Sequence, residues 1–421
     1  MARNMKDTGI AWLGQIPEEW SIRPIKECFN ERSEKVSDYD WEPLSVTKQG
    51  IVKQLESAAK SDAHDARKKV CKGDFVMNSR SDRKQSCGLS DYDGSVSLIN
   101  IVLRSENLYA GYVKYLLKNY GFAEEFYRWG TGIVDDLWST NYQRMKRIMI
   151  PVPTYIEQEK IGNFLDEKIP EIDGFLSKTR TSIEEYRKYK QAVITEAVTK
   201  GLEVNIPFKE SGIKWIGKIP KEFMCVKLRH CVQKIGDVDH YMPETVVEGI
   251  PYVMTGDLEE KVSEICFDRC KMISEDDYAE LSKKITAQQG DVILARYATI
   301  GTVSYVDIDK RFIVSYSCVV IKPKKELNGK FLYYYSKSSA FEEELKKYTN
   351  SNTQGNVGID SLYQAKIVLP SMDRQEEIVE YLDAKCAEID ALIAKKEVFV
   401  DEMEAYKKSL IYEYVTGKKE V

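Results

Sequence analysis

The sequence predicts an α+β protein: two mixed α/β domains joined by two long helices that form an intramolecular antiparallel coiled coil, pseudo-two-fold in arrangement. Three observations carry the prediction. The chain repeats itself, each repeat ends in a long apolar seam of heptad spacing, and each seam follows short segments rich in β-formers.

The repeat is read directly. Lys6 to Trp20 (KDTGIAWLGQIPEEW) recurs as Lys209 to Phe223 (KESGIKWIGKIPKEF), an offset of 203. Lys72-Gly73-Asp74 with the apolar run behind it recurs as Gln289-Gly290-Asp291, an offset of 217. From Gln158 to Thr199 the chain matches Gln375 to Thr416 without a gap. The helical parts are close copies and the segments before them have diverged, so the chain reads as two half-molecules in tandem.

In the first helical copy, Leu165, Ile169, Ile172, Leu176, Thr179, Ile183, Tyr186, Lys190, Val193 and Ala197 follow steps of four and three. Leu382, Cys386, Ile389, Ile393, Lys396, Val400, Met403, Lys407, Leu410 and Tyr414 repeat that register. Each helix would run about forty residues, roughly 60 Å. A seam this narrow suits a helix partner, and the other repeat supplies one; packing of each helix onto its own domain is the alternative. Pro170 should kink or restart the first helix near Ile169, because proline removes a ladder bond and clashes with the preceding turn.

The segments ahead of the helices alternate strands and turns. Val96 to Leu103 and Phe312 to Ile321 read as strands, with Asp93-Gly94 as a hairpin turn before the first. Tyr112 to Arg128 and Lys330 to Tyr348 read as amphipathic helices, each ending at a polar loop.

Composition narrows the class. A chain of 421 residues with 43% hydrophobic content can bury more than one core. No stretch of eighteen apolar residues occurs and the N-terminus lacks a secretory pattern, so a cytoplasmic protein with no membrane contact is expected. Nine scattered cysteines fit reduced thiols, and Cys266-x3-Cys270 lacks the partner spacing of a zinc site. The net charge of -5 argues against nonspecific coating of nucleic acid. Residues 20–150 come to about +3, residues 221–370 to about -2 and the last fifty to about -5.

The opening pattern of Gly9 to Trp20 and Gly212 to Phe223, the Lys72-Gly73-Asp74 turn, and Ile150 to Gln158 (IPVPTYIEQ) ahead of the first helix occur in order, twice over. The second copy keeps only the proline and glutamine of the last motif, in Leu369 to Gln375. In this order the motifs resemble the specificity subunits of type I restriction-modification enzymes over nearly the whole chain. The resemblance implies target-recognition domains at 1–150 and 209–370. Conserved helical regions would span 151–208, including the linker, and 371–421. Each recognition domain would read one half of a bipartite site in double-stranded DNA, while the helices set the spacing and dock two modification (methyltransferase) subunits, which restriction subunits would join. S-adenosylmethionine and ATP would belong to those partners. The chain itself would be a non-catalytic subunit without cofactor or metal.

Sequence-specific readout needs bidentate donors, amide side chains and phosphate contacts. Arg80, Ser81, Arg83, Lys84 and Gln85 after one strand, and Arg296, Tyr297 and Thr299 after its counterpart, offer them. So do Thr131 in one polar loop and Asn350, Asn352, Thr353, Gln354 and Asn356 in the other. Beside DNA contact stands the reading of ordinary solvated loops. Trp129 and Trp138 read as core more than as base-stacking rings, and His64, His230 and His240 lack metal or triad spacing. No phosphate loop, zinc-protease motif or nucleophile elbow occurs. Asn205-Ile206-Pro207-Phe208 resembles an adenine-methyltransferase motif but lacks its second proline and sits in the linker. The rival reading is a two-headed scaffold that grips proteins.

Overall fold

A computed structural model describes residues 3–54, 66–132, 138–297, 299–348 and 356–421. Two compact units emerge, one of Met1–Arg180 with Glu397–Val421 and one of Thr181–Lys396. Each therefore holds one head together with a part of both long helices.

The heads share a central antiparallel sheet. In the first, Cys87–Leu89, Phe75–Asn78, Asn100–Ser105 and Phe29–Glu31 lie side by side in that order. In the second the equivalent strands Val303–Tyr305, Val292–Ala295, Cys318–Pro323 and Val232–Gly236 repeat it. The smaller sheets differ. The first head has Gly94–Ser97, Arg67–Val70 and Lys35–Val36 with a separate hairpin, Leu44–Thr47 and Gly50–Lys53. The second has Lys271–Ile273, Ile250–Val253 and Ile313–Val314, the last pair parallel.

The repeated motifs prove to be internal fastenings. Gly73 and Gly290 take φ of +90° and +94°, which favours glycine, and the following carboxylates close the turn. Asp74 accepts from the Cys71 amide at 2.7 Å and pairs with Arg32; Asp291 accepts from the Gln288 amide at 2.8 Å and pairs with Lys322. Gln158 is buried, accepts from the Tyr109 amide at 2.8 Å and donates to the Pro153 carbonyl. Gln375 accepts from the Asn328 amide at 2.8 Å and donates to the Pro370 and Glu326 carbonyls. Each glutamine thus ties the start of a long helix to the start of a helix of its head, Ala110–Leu116 or Gly329–Ser336.

The long helices span Tyr155–Lys200 and Met372–Val415. Thr154 and Glu157 exchange bonds as a capping box at the first N-terminus, and Gly201 with φ +74° ends it. All twenty seam residues are buried or half-buried. Within the first unit Lys407 pairs with Asp173 at 2.5 Å and Phe164 packs on Tyr414, so the helices run antiparallel. Within the second, Lys190 pairs with Asp390 at 2.7 Å while Lys396 lies over Tyr186. The two ion pairs are the same pair by the repeat, since both members shift by 217. Leu165, Ile169, Ile172 and Leu176 also join the first head's core, and Leu382 and Cys386 the second's, so the seam serves helix partner and domain together.

Four local expectations are corrected. The first helix continues through Pro170 without restarting; the proline faces solvent, while Ile169 and Ile172 stay buried on either side of it. Val96 to Leu103 is not one strand, because the chain turns at the exposed Leu98-Ile99 to pass from the smaller sheet to the central one. Asp93-Gly94 is not a hairpin turn. Gly94 sits in a strand where a Cβ would meet the Glu42 carbonyl oxygen at 2.4 Å. Each long amphipathic helix is two, Ala110–Leu116 with Tyr120–Arg128 and Gly329–Ser336 with Ser339–Lys346. Asn119 and Ser338 cap the second member of each pair by accepting from the amides of Phe122 and Phe341.

Candidate DNA-recognition interface

In the first head the turn after Phe75–Asn78 and the loop after Tyr120–Arg128 are drawn together. The Ser81 amide donates to the Trp138 carbonyl and the Thr140 amide to the Ser79 carbonyl, each at 2.9 Å. Thr131 and Ser139 exchange both backbone bonds, at 2.9 and 3.1 Å. Thr131 is exposed and stands beside the turn through Ser139, which also bridges to Arg80. Trp138 and Trp129 are half-buried, their indole N–H groups donating to the Tyr127 carbonyl and to Glu125 at 2.8 Å. Gly130 is required there, since a Cβ would meet the Trp138 indole nitrogen at 2.3 Å.

Ser81–Arg83 forms a single 3-10 turn. Arg83 is 67% exposed and its guanidinium lies 3.5 Å from the neighbouring Asp82, so the side chain is offered to solvent. Lys84 bonds Glu124 at 3.2 Å and lies over the Tyr127 ring. Arg80 is half-exposed and lies 3.7 Å from Asp82. Gln85 has φ of +61°, the one non-glycine residue of positive φ among the described residues; such a conformation costs about 1–3 kcal/mol and persists where surroundings dictate it. Ser81, Lys84, Tyr127, Arg128 and Trp138 line a cleft of about 710 Å³. Burial pushes the Cys87 thiol behind the turn up to about 12, so it is a neutral core group.

The second head repeats the junction with other residues. Tyr297 bridges to Asn356, and the Val357 amide donates to the Arg296 carbonyl at 3.1 Å. Thr299 is exposed at the turn. Arg296 is placed differently from its expectation as a free donor. Its side chain is 8% exposed, ion-paired with Asp237 and 3.1 Å from His240 Nε2, with its guanidinium over the Tyr297 ring. It braces the turn. Asn350, Asn352, Thr353 and Gln354 lie outside the described residues.

Sequence reasoning missed Ser139 and Thr140, which fasten the first turn, and Asp237 and His240, which hold the second. None carries a motif. Asp237 lies 59 residues from Arg296, and only the sheet brings the two together. Among the described residues no cluster of His, Cys, Asp and Glu is placed to hold a metal, and no helix is long and apolar enough to cross a membrane.

Two heads, each presenting one fastened turn and loop on its own copy of the same sheet and each joined to a pair of long helices, define a duplicated two-headed protein. Residues 232–398 match the family model described as type I restriction modification DNA specificity domain. The type I restriction enzyme MjaVIII specificity subunit of Methanocaldococcus jannaschii is 26% identical over 280 residues, 65% of this chain; the match spans 62% of that relative's length. The putative type I restriction enzyme MjaX specificity subunit of the same organism is 24% identical over 99% of this chain and 96% of its own. A chain from a structure of complex assembly and conformational transition of the type I R-M system shares the fold with a TM-score of 0.73 at 13% identity, covering 96% of this chain and 99% of that one. The HsdS subunit from Thermoanaerobacter tengcongensis shares it at 0.53 and 17% identity, covering 96% and 98%. Residues 232–398 thus match a DNA specificity domain, and over nearly its whole length the chain is similar to specificity subunits of type I restriction enzymes.

Proposed function

We propose that this chain is the address-reading subunit of a DNA-modifying complex, each head reading one half of a bipartite site in double-stranded DNA. The observation that carries the reading is the twice-built junction: in each head a turn after the second strand of the central sheet is fastened to a distant loop, leaving exposed polar side chains such as Arg83 and Thr131, or Thr299. Such a rigid platform can hold donors at fixed spacing against base edges, which specific readout demands. Heads about one helical turn apart, roughly 34 Å, would enter successive major grooves.

In this reading the chain is non-catalytic. Two modification subunits dock on the helices, and restriction subunits join them. S-adenosylmethionine and ATP are bound by those partners. The test is single-molecule sequencing of DNA from a methylation-deficient host that expresses the chain with the modification subunit encoded beside its gene. Methylated bases confined to one split motif, only when both proteins are present, are the expected result. No methylation despite a verified complex and an active partner would instead indicate a scaffold.

A further inference from the structure

The junction of head and long helices is built twice on three lysines, of which Lys118 and Lys407 match Lys337 and Lys190 while Lys114 stands about one helical turn from the place of Lys330, and one copy lacks an anion. In the unit Thr181–Lys396, Lys330 pairs with Asp383 at 2.6 Å and Lys190 with Asp390 at 2.7 Å. The third lysine, Lys337, pairs with Glu260, which also lies 3.5 Å from Lys190. Three cations meet three carboxylates. Glu260 arrives from a segment held against the edge strand Val303–Tyr305, where the Tyr305 amide donates to its carbonyl at 3.0 Å.

In the first unit Lys114 pairs with Asp166 at 2.6 Å and Lys407 with Asp173 at 2.5 Å. Lys118 stands where Lys337 does, but has no hydrogen bond or ion pair among the described residues. Burial, the largest cause, holds its ammonium below the ordinary value; Lys407 and Lys114 repel it further, and Cys87 and Asp173 offset this only in part. Against the equivalent edge strand, Cys87–Leu89, this unit places the hairpin whose tip is Lys48-Gln49. A cation and an amide replace the carboxylate. The cleft between them measures about 950 Å³ and is lined by six cationic and four acidic side chains.

We infer that this cleft binds one oxyanion group, a phosphate or carboxylate, bridging Lys118 and Lys407 where Glu260 bridges Lys337 and Lys190 in the other head. The physical reason is the same in both: a partly desolvated ammonium is costly until an opposite charge reaches it. Gln49 and Gln85, which also line the cleft, add amide donors. The inference stands on the two charge clusters and is independent of what the heads read.

The test titrates the full-length chain with inorganic phosphate at low ionic strength, followed by calorimetry and phosphorus NMR. One phosphate per chain is expected. Lys118→Met should weaken it at least tenfold, Lys118→Arg should retain it, and Glu260→Gln should add a second equivalent. Unchanged circular dichroism melting of each variant separates lost binding from lost folding. Displacement by saturating duplex DNA identifies a backbone phosphate as the source and retention identifies a free anion; both uphold the site. Absence of phosphate binding, binding indifferent to Lys118→Met, or a Glu260→Gln chain that still takes a single phosphate would overturn it.

Discussion

Replacing Gln375 by leucine isolates what the recurring glutamine does. The side chain is 0% exposed and makes three bonds, accepting from the Asn328 amide and donating to the carbonyls of Pro370 and Glu326, at 2.8 to 3.0 Å. Leucine has nearly the same volume, so little cavity forms and the loss is polar. A buried group left without a partner costs about 1–3 kcal/mol, and water reaches part of the half-buried Asn328 region, so the sum is about 2–4 kcal/mol. Gln158→Leu breaks two such bonds, to the Tyr109 amide and the Pro153 carbonyl, and should cost about 1 kcal/mol less. Amide hydrogen exchange of the intact chain is the assay. Since about 1.4 kcal/mol is tenfold, protection in Gly329–Ser336 should fall roughly 30- to 1,000-fold in Gln375→Leu. Gln158→Leu should act instead on Ala110–Leu116. A change below about threefold in the first variant would refute the assignment, because one lost neutral hydrogen bond already exceeds it. Equal losses in both units from either variant would refute the claim that each glutamine serves its own head.

Other outcomes follow from the recognition surface and the charge clusters. Arg83→Ala should leave thermal stability within about 1 kcal/mol, since its one ion pair is on the surface, while relaxing one half-site by about 1–3 kcal/mol. Methylation of a randomised site library checks both halves at once, and an unchanged motif would remove Arg83 from the interface. Burial opposes ionisation of Glu260, but Lys337 and Lys190 outweigh it and leave the carboxyl below its ordinary 4.5. Its stabilising contribution is therefore present above 4.5 and lost as pH falls through the lower folded value. The stability advantage of the parent chain over Glu260→Gln should shrink over that interval, seen by thermal melts across a pH series. Exposed Cys266 should react with an alkylating reagent at pH about 8, while Cys87, buried and raised to about 12, should stay unlabelled until the chain unfolds; peptide mass spectrometry separates the two.

Much of the scaffold was legible in the sequence because its determinants recur at fixed offsets. The seam from Leu165 to Ala197 and its copy needed only helical periodicity, and the reciprocal pairs Lys190–Asp390 and Lys407–Asp173 follow from antiparallel pairing of two such copies. What escaped was set by contacts distant in the chain. The turn at Leu98-Ile99 exists because the flanking strands belong to different sheets, although the run from Val96 to Leu103 is uniformly β-forming. Asn119 and Ser338 carried a readable capping signal that the amphipathic pattern around them masked. Arg296 looked like a free donor because Asp237 and His240 are remote in sequence.

The division between legible and hidden residues follows from what each does. Gly73, Asp74, Gln158 and Thr199 recur as Gly290, Asp291, Gln375 and Thr416 because each supplies a bond or a backbone conformation the scaffold requires at that position. Thr199 and Thr416, for example, both bond the carbonyl one helical turn back at 2.6 Å. The exposed tips differ completely: Arg80 to Gln85 stands where Tyr297 to Gly301 stands in the other head. Backbone bonds fasten both turns to the framework behind them. A tip can therefore change its donors without disturbing the strand behind it, and the two heads can read different bases on one framework. Arg296 marks the limit of that freedom: its buried pair with Asp237 makes it part of the framework, so its replacement should cost folding of the turn before it alters any base preference.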